Sequence, residues 1–234
     1  MLKRFKTSLV VSALATAAVV GGSTRADAAF IAAVCQDLTC STGPIIVTDN
    51  GAGDTIPGTG AINFSVAAFG YSLVVNTSQS KPLIGSTTEP QLDLTFTATG
   101  TGTIFLYAGD TDFTNVGAES FLLSLGETSS GGSGTVTGRA WGGSTNNALT
   151  FSPLLASIGP LTGAAASGMV GGTFLPTVNA YSLSIGVQIV RTTAGTTTGD
   201  LNLSATPVPE PASITLLGLG LLAAGRRRFL KKRA

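Results

Sequence analysis

The side chains whose types and spacing suit chemistry are two acidic turns, two cysteines and a tripeptide of proline and glutamate. Asp110, Asp112 and Asn115 fall in the stretch GDTDFTN, and Asp49, Asn50 and Asp54 in the stretch DNGAGD. A hard cation such as calcium takes oxygen donors of this sort, but neither stretch has the loop spacing and closing Glu of an EF-hand. Asp and Asn also build turns by bonding their own backbone. The expectation is therefore structural turns and no cofactor, with Asp110, Asp112 and Asn115 as the weak calcium candidates.

The chain contains no histidine, which removes the usual general base and metal ligand and excludes Ser-His-Asp and Cys-His mechanisms for this chain alone. A two-carboxylate glycosidase stays formally open, because ten acids lie between residues 29 and 206. Most of them sit in turns or on the polar side of a strand, where solvated carboxylates are ordinary, so no enzyme is expected. Cys35 and Cys40, the only cysteines, are close enough to staple a small loop, and in an oxidising compartment they read as a disulfide.

That compartment follows from the start of the chain. Residues 1–28 carry basic residues, an apolar run over 9–20 and then Ala26-Asp27-Ala28, the form of a secretory signal peptide cleaved after Ala28. The implied partners are the general secretion machinery and signal peptidase. Charge is segregated along the chain: between residues 29 and 206, Lys81, Arg139 and Arg191 stand against the ten acids, a net charge of −7. An acidic body of this kind gives no footprint for nucleic acid or an anionic membrane surface.

The other end of the sequence has three parts in order. Pro209-Glu210-Pro211 is followed by an uncharged run over 212–225 and then by Arg226, Arg227, Arg228, Lys231, Lys232 and Arg233. As a helix the run covers about 21 Å, short of a bilayer core of about 30 Å. The basic cluster holds its far end in the cytoplasm by the positive-inside rule. This arrangement resembles the PEP-CTERM sorting signal of Gram-negative bacteria. The resemblance implies an exosortase partner in the inner membrane, transient residence there, and a mature form at the cell surface or outside the cell, associated with exopolysaccharide or biofilm. Residues 29–206, through the blocks IIVTDNGAGD, SKPLIGSTTEPQLDL and YAGDTDFTN, also resemble an uncharacterised ectodomain type found on such proteins, which implies a β-rich fold and no catalytic residues.

These residues must be positioned by strands. LDLTFTA alternates Leu92, Leu94, Phe96 and Ala98 against Asp93, Thr95 and Thr97, and YSLSIGVQIV alternates in the same way. INFSVAAF, YSLVVN, TIFLYA, SFLLSL, GTVTGRAW and LNLSA are further candidates, separated by Gly, Asn, Asp and Pro turn signals. The expected fold is all-β: an antiparallel β-sandwich of about eight to ten strands over residues 29–206, between a signal-peptide helix and a transmembrane helix. Residues 151–172, rich in small residues and holding two prolines, read as a long connection. A carbohydrate-binding module or adhesin is the alternative function. Its aromatic platform would have to come from Trp141, Tyr71, Tyr107 or Tyr181, the only Trp and Tyr residues of the sequence.

Overall fold

A computed structural model describes residues 29–208 as ten strands and no helix. The signal peptide with its cleavage residue Ala28, the motif residues Pro209, Glu210 and Pro211, the expected transmembrane run and the basic cluster lie outside the described residues. Among the described residues no helix is long and apolar enough to cross a membrane.

The strands are β1 (Ile31–Cys35), β2 (Ile45–Thr48), β3 (Ala61–Ala68), β4 (Tyr71–Gln79), β5 (Gln91–Thr114), β6 (Glu119–Ser130), β7 (Gly134–Gly142), β8 (Leu154–Leu161), β9 (Ala165–Phe174) and β10 (Ala180–Pro207). Every pairing is antiparallel. β5 and β10, of 24 and 28 residues, each serve two layers. Residues 91–100 of β5 pair with β4 and with the last part of β10, which in turn pairs with β6. Residues 102–114 pair with β1 and with the first part of β10, which in turn pairs with β7. The first sheet therefore runs β3-β4-β5-β10-β6-β9 and the second β2-β1-β5-β10-β7-β8, joined through two strands that fold over a shared corner.

The corner has local causes. Gly102 takes a positive φ of 105°, and the β5–β10 register slips between Arg191 and Gly195. The bulge presses Arg191 into the interior, where its guanidinium donates to the Thr197 hydroxyl at 2.8 Å and to the carbonyls of Ser130 and Gly131 at 2.9 and 3.0 Å. A buried charge is tolerable only with partners such as these. Thr197 continues through Ser129 to the carboxylate of Glu127, so the cation has an acid two hydroxyls away.

Alternation sets the core. Leu92, Leu94 and Phe96 of β5, Leu201 and Leu203 of β10, and Leu123 and Leu125 of β6 turn inward from the first sheet to meet Ile104, Leu106, Leu183, Ile185 and Val187 from the second in a single buried cluster. The second sheet is covered on its other face as well. There Phe105, Tyr107 and Trp141 form a smaller cluster with the disulfide half-cystine Cys35 and with Leu149 and Phe151 of the β7–β8 connection. Tyr107 stacks edge-on to Phe151 at 5.1 Å and its hydroxyl donates to the carbonyl of Leu38 at 2.8 Å. β10 can pass under these rings only with glycine at 186, where a Cβ would come within 2.3 Å of the Tyr107 ring.

All eight segments expected as strands are strands, although LDLTFTA and TIFLYA are parts of the one strand β5, and YSLSIGVQIV and LNLSA parts of β10. Residues 151–172 correct the reading of a long connection, since they hold β8 and most of β9. β9 is an edge strand with mostly exposed side chains. Its apolar alternation is replaced by small residues that let neighbours approach: a Cβ at Gly172 would lie 2.9 Å from the Phe121 ring. Pro160 in β8 is likewise tolerated at an edge.

Candidate functional site

Both ends of the described chain leave the same end of the sandwich. Pro207 closes the β10–β6 ladder opposite Glu119, and the amide of Val208 donates to the carbonyl of Ala118 at 2.8 Å. Ala29 donates from its backbone to the hydroxyl of Thr111, near the end of β5. Glu119 itself is buried; Tyr181 donates to one carboxylate oxygen at 2.5 Å while the other has no partner among the described residues. Burial raises this carboxyl above its usual range, with the Tyr181 bond opposing.

At this end stand the residues proposed for calcium, and the structure sends them to different partners. Asp110 is buried and takes the Ser80 hydroxyl at 2.5 Å, the Lys81 ammonium at 2.8 Å and the Thr111 amide at 2.7 Å. Lys81 also bonds the Thr111 carbonyl and lies 4.0 Å from the centre of the Phe113 ring. Asp112, at a positive φ of 60°, exchanges two bonds with Asn146 across the β7–β8 connection. Asn115 donates to the carbonyls of Pro176 and Val178 and accepts from Gly117. In the other acidic turn, Asp54 accepts from the amides of Asn50, Ile56 and Asn63, and Asp49 from that of Gly60. Among the described residues no three His, Cys, Asp or Glu side chains gather as a metal would require.

Cys35 and Cys40 form a disulfide, with Cα atoms 5.2 Å apart. The small loop is organised by Asp37, whose carboxylate accepts from the backbone of Thr39, Ser41 and Thr42 and from the Thr39 hydroxyl. These bonds, that of Ser41 foremost, hold the carboxyl well below the usual range. The four aromatic side chains considered as a sugar platform are interior: Trp141 is 4% exposed, and Tyr71, Tyr107 and Tyr181 are buried more deeply.

A feature that the sequence does not reveal lies on the outer face of the first sheet. Asp93 of β5 pairs with Asn202 of β10 and Thr95 with Asp200, so the two aspartates are diagonal neighbours on one face. Thr95 and Asn202 donate to the Asp93 carboxyl, and burial, followed by the neighbouring Asp200, pushes Asp93 up to about 7. A buried carboxyl with a second acid as neighbour holds its proton more tightly than a solvated one. An open groove of about 590 Å³ adjoins Asp200, lined by Thr95, Thr198, Thr128, Ser167 and Ala165. No sequence signal marks the pair, because contact depends on the register of strands far apart in the chain.

The comparison with protein families matches residues 207–228 to the PEP-CTERM protein-sorting motif. The chain carries a PEP-CTERM sorting motif. That motif marks an exosortase-sorted, extracellular protein, with exosortase as its partner. Its first two residues, Pro207 and Val208, are still bound to the sandwich, and β10 runs one residue past the boundary expected at 206. No curated protein matches. Among solved structures the chain is similar to the enzymatically active domain of tailspike protein 4 of bacteriophage CBA120, at 10% identity and a TM-score of 0.28, over 64% of this chain and 20% of that one. A second similarity is to the VP2 subviral particle of infectious bursal disease virus, at 12% identity and a TM-score of 0.16, over 85% of this chain and 69% of that one. The chain thus spans a fifth of the tailspike's length, and at these scores neither neighbour bears on the argument.

Proposed function

We propose that the chain is a non-enzymatic surface or matrix protein, exported through its signal peptide, held briefly in the inner membrane by residues 212–225, and released when exosortase acts at the Pro209-Glu210-Pro211 junction. Arg226, Arg227, Arg228, Lys231, Lys232 and Arg233 fix the cytoplasmic end before that step. The observation that carries this reading is the match to the sorting motif directly after the last strand. The shared exit of both chain ends supports it, since the signal peptide and the tail then address one membrane without a turn of the body. A matrix role with exopolysaccharide as neighbour suits a hydroxyl-rich outer face; a sugar-binding module has less support, because the aromatic side chains are interior.

Mass spectrometry of the protein recovered from the surface or medium tests the reading. A mature chain beginning after Ala28 and ending between residues 207 and 212 is expected, and Glu210→Ala should leave precursor in the inner membrane. Recovery of peptides reaching Leu222 would show that the tail is retained.

A further inference from the structure

The join between sandwich and motif has no linker. The Val208 amide is bonded to Ala118, and residues 209–211, fully extended, reach at most about 10 Å beyond it. An enzyme that closes on a peptide bond in or just past the motif must therefore touch the end of the sandwich.

What it touches is an apolar platform. Val208 is 39% exposed, Val116 43% and Leu175 64%. The ladder places them together: Glu119 pairs with Pro207 on one side and with Phe174 on the other, and Val116 lies on the connection that leads into Glu119. The platform is rigid. Asn115 ties the β5–β6 connection to the β9–β10 connection through the carbonyls of Pro176 and Val178, and its own amide donates to Asn179. Beneath it Phe174 packs against Phe121 and Tyr181 at 6.1 and 6.0 Å. Exposed branched side chains held in this way cost little ordering entropy when covered.

From the reach of the motif and the set of this platform we infer that Val116, Leu175 and Val208 form a docking surface for the outer face of exosortase, used in addition to the sorting motif. Glu89 is exposed on a segment that bonds Thr114 and Ala205 at this end of the sandwich, and Asp112 is partly exposed, while Lys81 is occupied by Asp110. The matching enzyme surface is thus apolar with basic side chains at its rim. The platform raises the local concentration of the motif at the enzyme, as a second contact does in any two-point binder.

This inference rests on the sorting reading, and the experiment separates the two. Full-length precursor is expressed in a cell that holds exosortase, and the rate of conversion to the mature form is followed by pulse-chase. Leu175→Asp and Val116→Asp are expected to slow conversion several-fold. Insertion of about twelve Gly and Ser residues after Val208 should do the same, because effective concentration falls once a linker outgrows the span. In the linker background Leu175→Asp should add nothing. Conversion at the original rate in the Asp variants, or faster conversion with the linker, would overturn the platform. Slowing by the linker but not by Leu175→Asp would overturn it too, and assign the contact to lipid beneath the exit. Each precursor is checked for its disulfide and for protease resistance, and Leu175→Ser replaces any variant that loses them. Glu210→Ala stands as the separate arm: normal conversion there would overturn the sorting reading itself.

Discussion

The two sheets share a core and two strands, yet their outer faces are opposites. The second is sealed by a disulfide loop, an aromatic cluster and the β7–β8 connection, so that side chains on both sides of β10 are buried over residues 181–187. The first is open, with rows of threonine hydroxyls such as Thr99 and Thr196 at 2.9 Å and Thr97 and Thr198 at 3.3 Å. Identical strands therefore read differently along their length: β5 alternates until the corner and is then almost continuously buried. The difference teaches that one face is built for stability and the other is left open to solvent.

The largest test of that contrast is Trp141→Ala, which empties the sealed face. It should lower stability by about 3–5 kcal/mol, measured by denaturant unfolding. Were Trp141 a ligand platform, the loss would fall on binding and spare the fold. Next, replacing Cys35 and Cys40 by Ala frees a short loop, and the chain-entropy model gives about 2 kcal/mol; intact mass with and without reductant checks the bond itself.

The acids of the two faces should respond to pH in opposite senses. The Asp93 carboxyl, at about 7, binds its proton more tightly in the folded chain than in the unfolded one, whose value is about 3.9. The folded state then holds more protons between those values, and stability falls as pH rises from about 4 to about 7. Asp93→Asn, which mimics the protonated form, should remove this slope and raise stability at pH 8 by about 1–2 kcal/mol after solvent screening at the exposed Asp200. Asp37, held low by its backbone bonds, contributes stability that is present above about 4 and lost as pH falls further; Asp37→Asn should abolish that acid-side loss. Thermal unfolding across pH 3 to 8 reads both. The smallest effect is expected from Thr99→Ala on the open face, within about 0.5 kcal/mol, and a loss several times larger would show that the open face is structural after all.

Much of this molecule is legible in one dimension. The tail declares itself by the order of motif, apolar run and basic cluster, and the strands by alternation, as with Leu92, Leu94 and Phe96. What alternation cannot show is continuity. Thr101-Gly102 and Thr192-Thr193-Ala194 look like turns between strands, whereas β5 and β10 run on through them with a slip in register. Nor does it show edges such as β9, where close approach selects glycine in place of a hydrophobic period. The Asp93–Asp200 pair stays hidden for a different reason: 106 intervening residues separate groups that only register brings into contact, and each aspartate alone resembles an ordinary polar strand position.

The long strand β10 also settles how the protein answers a pull. Any tether through the tail draws on Pro207 along the strand axis, and β10 lies between two neighbours in each sheet, β5 and β6 in one and β5 and β7 in the other. Load applied there is shared by many ladder bonds in shear, instead of opening them one after another from an edge. Resistance to such a force is a matter of unfolding rate, and a central strand of 28 residues makes the point of attachment the hardest place from which to unravel the body.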